Sequence, residues 1–259
     1  MILDEIALKT KLRVEENRKR KPLSELKSAV ADCDCETGFP FEKALRREGL
    51  GFLCEVKKAS PSKGVIAEEF PYVQIAREYE EAGADAISVL TEPFYFKGKD
   101  SYLKEIRKGV KLPLLRKDFT VDEYMIYEAK AMGADAVLLI CSILSKGQLK
   151  EYLELAGSFG MSALVEAHDG GEIEMALEAG ARIIGVNNRN LKDFTVDINN
   201  SLRLRPLVPE NILFVSESGM KTAEDIRKLR DNGTDAVLIG EAFMRSRNRK
   251  EMLRSLKQG

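Results

Sequence analysis

Histidine is nearly missing from this chain of 259 residues, where His168 is the only one. A catalytic triad or metal cluster built on imidazole therefore has one residue at most to draw on. The cysteines are few, Cys33, Cys35, Cys54 and Cys141, and show no paired C-x-x-C spacing. Cys54 and Cys141 sit inside apolar runs, where a thiol packs as a small hydrophobe, so reduced thiols and no metal site are expected. Long apolar runs are lacking too. The longest, AVLLICSIL from Ala136, falls far below the roughly 18 residues of a membrane span, and the start MILDEIALKT lacks the form of a signal peptide. These absences predict a soluble, cytoplasmic protein with no membrane partner. Net charge is also missing: Lys+Arg of 41 against Asp+Glu of 42 leaves −1. No overall basic field points to nucleic acid and no acidic excess points to disorder, so local clusters must carry any anion recognition.

What the chain does have is a phrase repeated four times: EAGADAISVL from Glu81, AMGADAVLLI from Ala131, EAGARIIGVN from Glu178 and DNGTDAVLIG from Asp231. Each copy reads as the last turn of a helix, a glycine C-cap, a short loop and a buried strand. Between the copies, and before the first, lie other strand-like runs: FLCEVKK from Phe52, LPLLRKDF from Leu112, ALVEAH from Ala163 and ILFVSES from Ile212. Strand and helix thus alternate eight times, which predicts a closed (β/α)8 barrel in the α/β class. The length is close to the roughly 250 residues of one such barrel, so residues 1–259 are expected to form a single domain. Residues 1–50 stand outside the repeat. A loose helical stripe of Ile2, Ile6, Leu8, Leu12 and Val14, then a second helical patch PFEKALRREG, predict an N-terminal helical extension packed over one mouth of the barrel.

The runs between the copies carry charges at or near their C-terminal ends. A parallel strand covered by helices should be apolar throughout, and in such barrels the strand C-termini form the active-site face. Period-2 alternation puts Glu55 and Lys57 in phase with Leu53, Lys117 and Phe119 with Leu115, and Glu166 and His168 with Leu164, with Arg116 and Asp118 on the opposite face. Glu55 and Lys57 read either as site residues or as an internal salt bridge. Lys117 reads as a general acid whose pKa burial and nearby cations would lower, or as a structural lysine. Glu166 is a candidate base or electrostatic stabiliser, and His168 a loop residue or a support behind the site. Asn187 and Arg189 share a phase and suit hydroxyl or carboxylate groups, although N-N-R-N is also turn-like. SPSKG after the first strand suits a mobile lid over an anion. Ser218, Gly219, Gly240 and Glu241 follow the last two strands, where glycines let backbone N–H groups approach a phosphate and EAFM can open a short helix.

The segments CEVKKASPSKG, LLRKDF, LVEAH, IGVNNRNL, VSESGM and LIGEAFM, in this order and spacing, closely resemble the indole-3-glycerol phosphate synthase family. The resemblance spans essentially the whole chain, including the helical extension that this family adds to its TIM barrel. It implies that Lys117 protonates the substrate ketone during ring closure, that Glu166 and Glu55 are the acid–base carboxylates, and that Lys57 binds the anthranilate carboxylate and takes part in dehydration. It also implies polar substrate contacts from Asn187 and Ser218, and a phosphate site at Ser60, Gly219, Gly240 and the backbone of Glu241. Pro61, Phe96, Phe119, Leu138 and Leu191 would line a slot for the aromatic ring, with Arg189 beside it. The implied partner is one phosphorylated small molecule, handled by a monomer without metal, nicotinamide or flavin; the sequence lacks metal-ligand clusters and the Rossmann G-x-G-x-x-G fingerprint. Where the family also has a small serine this chain has Glu241, whose side chain is expected to turn outward. Another phosphate-binding barrel acting on a sugar phosphate, or a barrel that only binds its ligand, remain as rivals; Lys57, Lys117 and Glu166 together argue against the first, and the full set of charged strand ends against the second.

Overall fold

The computed structural model describes residues 2–190 and 193–258. Parallel strands β1 (Gly51–Val56), β2 (Ala86–Leu90), β3 (Leu114–Lys117), β4 (Ala136–Ile140), β5 (Ser162–Ala167), β6 (Ile183–Asn187), β7 (Leu213–Glu217) and β8 (Ala236–Ile239) each bond to the next, and β8 returns to β1 to close the barrel. The repeated phrase makes this closure in a specific way. Its glycines, Gly83, Gly133, Gly180 and Gly233, have φ of 80° to 92°, the left-handed backbone that lets a helix stop and turn into a strand. The aspartate of three copies is a staple. Asp85, Asp135 and Asp235 accept the backbone N–H of Phe52, Leu114 and Phe214, at the start of the neighbouring strand, at 2.8, 2.8 and 2.7 Å. The third copy has Arg182 in that place.

Inside the barrel, Leu53, Leu115, Leu164, Leu213 and Val215 pack with Phe41 and Leu45. The last two come from helix α3 (Pro40–Leu45), so α3 stoppers the end where the strands begin. Helix α1 (Ile2–Arg20) instead reaches the other end, where its first turn, with Ile2, Leu3 and Ile6, borders the large cavity described below. The extension thus touches both mouths, not one. The expected stripe on α1 is also corrected: Leu3, Ile6, Ala7, Thr10 and Val14 are buried, whereas Leu8 and Leu12 are 59% and 53% exposed. Small Ala7 and Thr10 let the helix lie close, and Ala7 and Val14 join Tyr124, Met125 and Leu26 of helix α2 (Leu23–Ala31) in one cluster.

Charge fastens α1 as well. Arg13 donates to the buried Asp118 at 2.8 Å, Asn17 to Glu128 at 3.1 Å and Arg18 to Asp122 at 2.5 Å. Asp118 lies just past β3, so the extension is tied to the strand that carries Lys117. Among the described residues no helix is long and apolar enough to cross a membrane. Phe41→Ala should lower the free energy of unfolding by about 3–5 kcal/mol because it empties the barrel's stopper. Leu8→Ala, on the exposed side of α1, should change it by less than about 0.5 kcal/mol. Urea denaturation of the two variants checks the contrast.

Candidate active site

Four inward rows of the barrel, those of β1, β3, β5 and β7, end in charged residues. Above Leu53 comes Glu55, above Leu115 Lys117, above Leu164 Glu166, and above Leu213 and Val215 Glu217. These side chains open into a cavity of about 690 Å³ at the C-terminal ends of the strands. Fifteen of the sixteen residues proposed from the sequence line it: Glu55, Lys57, Ser60, Pro61, Phe96, Lys117, Phe119, Leu138, Glu166, Asn187, Arg189, Ser218, Gly219, Gly240 and Glu241. Leu191 lies outside the described residues.

Lys117 is the hub. Its Nζ stands 2.5 Å from Glu217 Oε2 and 3.3 Å from Glu166 Oε2, all three side chains being at most 12% exposed. Lys57 Nζ is 2.5 Å from Glu55 Oε1, so the internal ion pair read from the sequence exists, and it exists inside the cavity. Asn187 Nδ2 donates to Glu166 Oε1 at 3.2 Å.

The neighbours of Lys117 are carboxylates rather than the cations expected, which reverses the predicted pKa shift. Burial opposes its charge, but Glu217, Glu166 and Glu55 outweigh burial and hold the ammonium above the ordinary lysine value. Glu166 goes down: burial works against its charge, and Lys117, His168 and the Asn187 amide overcome it. Glu217 goes up to about 7, because burial, reinforced by Glu166 and Glu55, exceeds the attraction of Lys117. Contacts explain the split. Glu166 is held at both oxygens, whereas Glu217 Oε1 is buried with no hydrogen-bond partner. The cavity therefore pairs a carboxylate held low with one pushed up to about 7.

Sequence reasoning passed over Glu217. Its signal was the alternation Leu213, Val215, Glu217, obscured by the Ser218 and Gly219 that follow it. A second signal lay on β6. A Cβ on Gly185 would sit 2.2 Å from Glu217 Oε1, so a side chain there would push the carboxylate from its place. Gly240 does the same for the other pair, since a Cβ there would sit 2.2 Å from Glu55 Oε1. That is a reason for Gly240 beyond the close approach of a phosphate.

At the rim, Ala59–Ser60 and Gly64–Val65 form a small antiparallel hairpin that carries Ser60, Pro61 and Ser62 over the cavity. Ser218 and Gly219 have φ of 68° and 98°, a left-handed pair that turns the chain sharply past β7. Arg189 NH1 donates to Ser62 Oγ at 3.4 Å, and its NH2 lies 3.5 Å from Glu241 Oε2. Glu241 is thus corrected. Its carboxylate does not turn outward but lies between Arg189 and Arg245, the latter at 3.2 Å, because two guanidinium groups neutralise it there. Neighbouring Asn188, 3% exposed, is structural: its side chain joins Ser216, Ser218 and Ser201 and pins the N-N-R-N turn.

On the opposite wall the Phe96 and Phe119 rings stand 6.0 Å apart at 39°. Phe96 is aimed by Glu92, another residue not anticipated, whose buried carboxylate accepts the N–H groups of Phe94, Tyr95 and Phe96 at 2.8, 2.8 and 2.9 Å. A slot with two rings on one side, cations at the rim and acid–base groups at its floor fits a flat aromatic anion bearing a second anionic group.

Comparison with known proteins agrees with this geometry. A family model described as indole-3-glycerol phosphate synthase matches residues 3–256. The chain is 59% identical over 246 residues to an indole-3-glycerol phosphate synthase of Ruminiclostridium cellulolyticum, covering 95% of each chain. It is 56% identical to the one of Endomicrobium trichonymphae, covering 99% of this chain and all of the other. Among solved structures, a 3-hexulose-6-phosphate synthase from Salmonella typhimurium superposes with a TM-score of 0.67 at 15% identity, over 81% of this chain and 97% of that one. That likeness concerns the fold alone.

The Glu217 pKa gives a test. Its folded value of about 7 lies above the ordinary 4.5, so the folded state keeps a proton that the unfolded chain has lost. Stability from this group is therefore greatest at low pH and declines as pH rises through that interval. Glu217→Gln should gain stability relative to wild type between about pH 5 and pH 8, on the order of 1–3 kcal/mol. Thermal unfolding of both proteins across pH checks the sign.

Proposed function

The chain belongs to the indole-3-glycerol phosphate synthase family, and from that premise we propose which of its residues close, decarboxylate and dehydrate 1-(2-carboxyphenylamino)-1-deoxyribulose 5-phosphate. The products are indole-3-glycerol phosphate, carbon dioxide and water, a carboxy-lyase step of tryptophan biosynthesis. The observation that carries the assignment is the Lys117 ammonium, set between Glu166 and Glu217 at the floor of the cavity.

The substrate's aniline nitrogen pushes electron density into its ring, and the ring carbon bearing the carboxylate attacks the ketone. An alkoxide develops as the carbon–carbon bond forms. Lys117 donates its proton there; a raised pKa suits the task, since the ammonium stays charged at all working pH and an alkoxide is more basic still. Glu217, holding a proton near neutral pH at 2.5 Å from Nζ, is placed to restore it. Loss of carbon dioxide then returns aromaticity to the ring. The remaining hydroxyl departs as water, helped by the Lys57 ammonium, and a carboxylate, Glu166 or Glu55, removes the proton from the adjacent carbon. Before that, Lys57 holds the substrate carboxylate. Phe96 and Phe119, with Pro61 and Leu138, enclose the ring, while Asn187 and Ser218 meet the hydroxyls.

The phosphate belongs at the rim, among Ser60, Gly219, Gly240 and the N–H of Glu241, with Arg189 beside it. Glu241 now occupies Arg189, so an incoming phosphate has to share or displace it. A monomer acting as one domain in the cytoplasm completes the reading, with the thiols of Cys33, Cys35, Cys54 and Cys141 free.

Purified protein incubated with the carboxyphenylamino-deoxyribulose phosphate should generate indole fluorescence, and silence from wild type would sink the assignment. Lys117→Ala should lower kcat by about 10³-fold or more, and full activity in it would remove the proposed acid. Glu241→Ser should lower KM about 3-fold to 10-fold at nearly unchanged kcat, because it removes an internal competitor for the arginine. Steady-state kinetics over a range of substrate concentrations separates the two effects.

A further inference from the structure

His168 follows Glu166 by two residues at the top of β5, in the same inward phase, and no step above uses it. Its side chain is 23% exposed and sits between two carboxylates. Nδ1 is 3.4 Å from Glu172 Oε2, on the first turn of the helix Gly170–Ala179, and Nε2 is 3.7 Å from Glu166 Oε1. The surroundings hold the ring in that direction. Glu172 Oε2 also accepts the backbone N–H of His168 at 2.8 Å, Glu172 N–H is tied to Asp169 Oδ1 at 2.9 Å, and the Asn200 amide donates to the His168 carbonyl at 3.3 Å. Nε2 is left buried, without a hydrogen bond, facing Glu166.

We propose that His168 is a positioning residue of the reaction: held by Glu172, its imidazolium faces Glu166 through Nε2 and keeps that carboxylate ionised and oriented toward the substrate. Glu166 needs such support. It shares a buried layer with Glu217 and Glu55, and the substrate brings a carboxylate and a phosphate of its own, all of which favour its protonation. Asn187 and Lys117 already hold it from β6 and β3, and His168 adds a third support from the strand end. The charged groups facing the ring are Glu166 on its own strand, Glu172 on the following helix and, farther off, Glu217 on β7. Burial disfavours the imidazolium, but these carboxylates outweigh it and raise the His168 pKa. The result is a division of labour, with Glu166 kept charged by a second cation and Glu217 left to carry the proton.

The inference rests on Glu166 being an acid–base carboxylate of the site, and the experiment separates the two. kcat and KM are measured by indole fluorescence from about pH 4 to 9 for wild type, His168→Gln, Glu172→Gln and Glu166→Gln. In His168→Gln the new amide keeps a neutral donor without the charge. The acid limb of kcat in His168→Gln should move up by about one pH unit, with kcat up to about 10-fold lower on the limb itself, KM within about 2-fold, and recovery toward wild type on the plateau above it. Glu172→Gln, which weakens the imidazolium without touching ring or substrate, should move the limb in the same direction by less, and it carries the test if His168→Gln does not fold. A limb that stays in place in both variants, a deficit equal at every pH, or a rise in KM alone would overturn the proposal. Full activity in Glu166→Gln would sink the underlying reading instead; loss in that variant beside unmoved limbs would sink only the role of His168.

Discussion

One ammonium makes the site possible. Glu55, Glu166 and Glu217 end three inward rows of a barrel whose interior is mostly apolar, and in such a medium three like charges cannot all persist unaided. Lys117 lies against two of them and Lys57 against the third. The pairing does not stabilise the fold in any large measure, since the cost of taking ions out of water consumes most of the attraction between them. Its product is electrostatic asymmetry, with one carboxylate held low, one pushed up to about 7, and an ammonium between them.

The same strand is charged on its other face. Arg116, 2% exposed between barrel and helices, bonds to Asp100 at 3.0 Å, Glu128 at 3.2 Å and the Met125 carbonyl at 2.8 Å. Asp118 takes Arg13 of α1, the Thr91 hydroxyl at 2.6 Å and the N–H of Phe119 at 2.8 Å. Burial alone would raise the Asp118 pKa, but Arg13 and Arg116 bring it below the ordinary value, so this network is satisfied where the inner one is stressed. Lys117 and Phe119 thus stand on a strand clamped from outside, the support that a reacting group requires to stay in place. Helix α1 contributes to both layers, through Arg13 outside and through Ile2, Leu3 and Ile6 at the cavity.

The sequence made these faces legible because a strand has period 2. Alternation alone put Glu55, Lys117 and Glu166 inside and Arg116 and Asp118 outside, and the fourfold glycine phrase marked the barrel. What escaped depends on partners far away in the chain. Glu217 obeyed the same alternation, but the room for its carboxylate comes from Gly185 on the neighbouring strand, 32 residues earlier. Glu92 and Asn188 act through loop hydrogen bonds that have no period to read. The direction of the Lys117 shift was misjudged because the sign of its neighbours belongs to the closed barrel, not to its own strand. On α1, hydrophobicity pointed to Leu8 and Leu12, whereas close packing selected the small side chains of Ala7 and Thr10.

The two ends of each strand have separate tasks, and this separation is what permits the stress. At the starts, Asp85, Asp135 and Asp235 bind neighbouring backbone and α3 fills the bore, so closure of the barrel is secured by groups that never meet the substrate. At the finishes, Gly185 and Gly240 are holes in the wall, which give up packing so that Glu217 and Glu55 can point inward. A carboxylate left with one oxygen unbonded in a buried layer would be costly in a structural core. Here the cost falls on a layer that the barrel does not need for closure. Glu217, pushed up to about 7 by that burial, is therefore the kind of group that a functional cavity, rather than a structural core, tolerates.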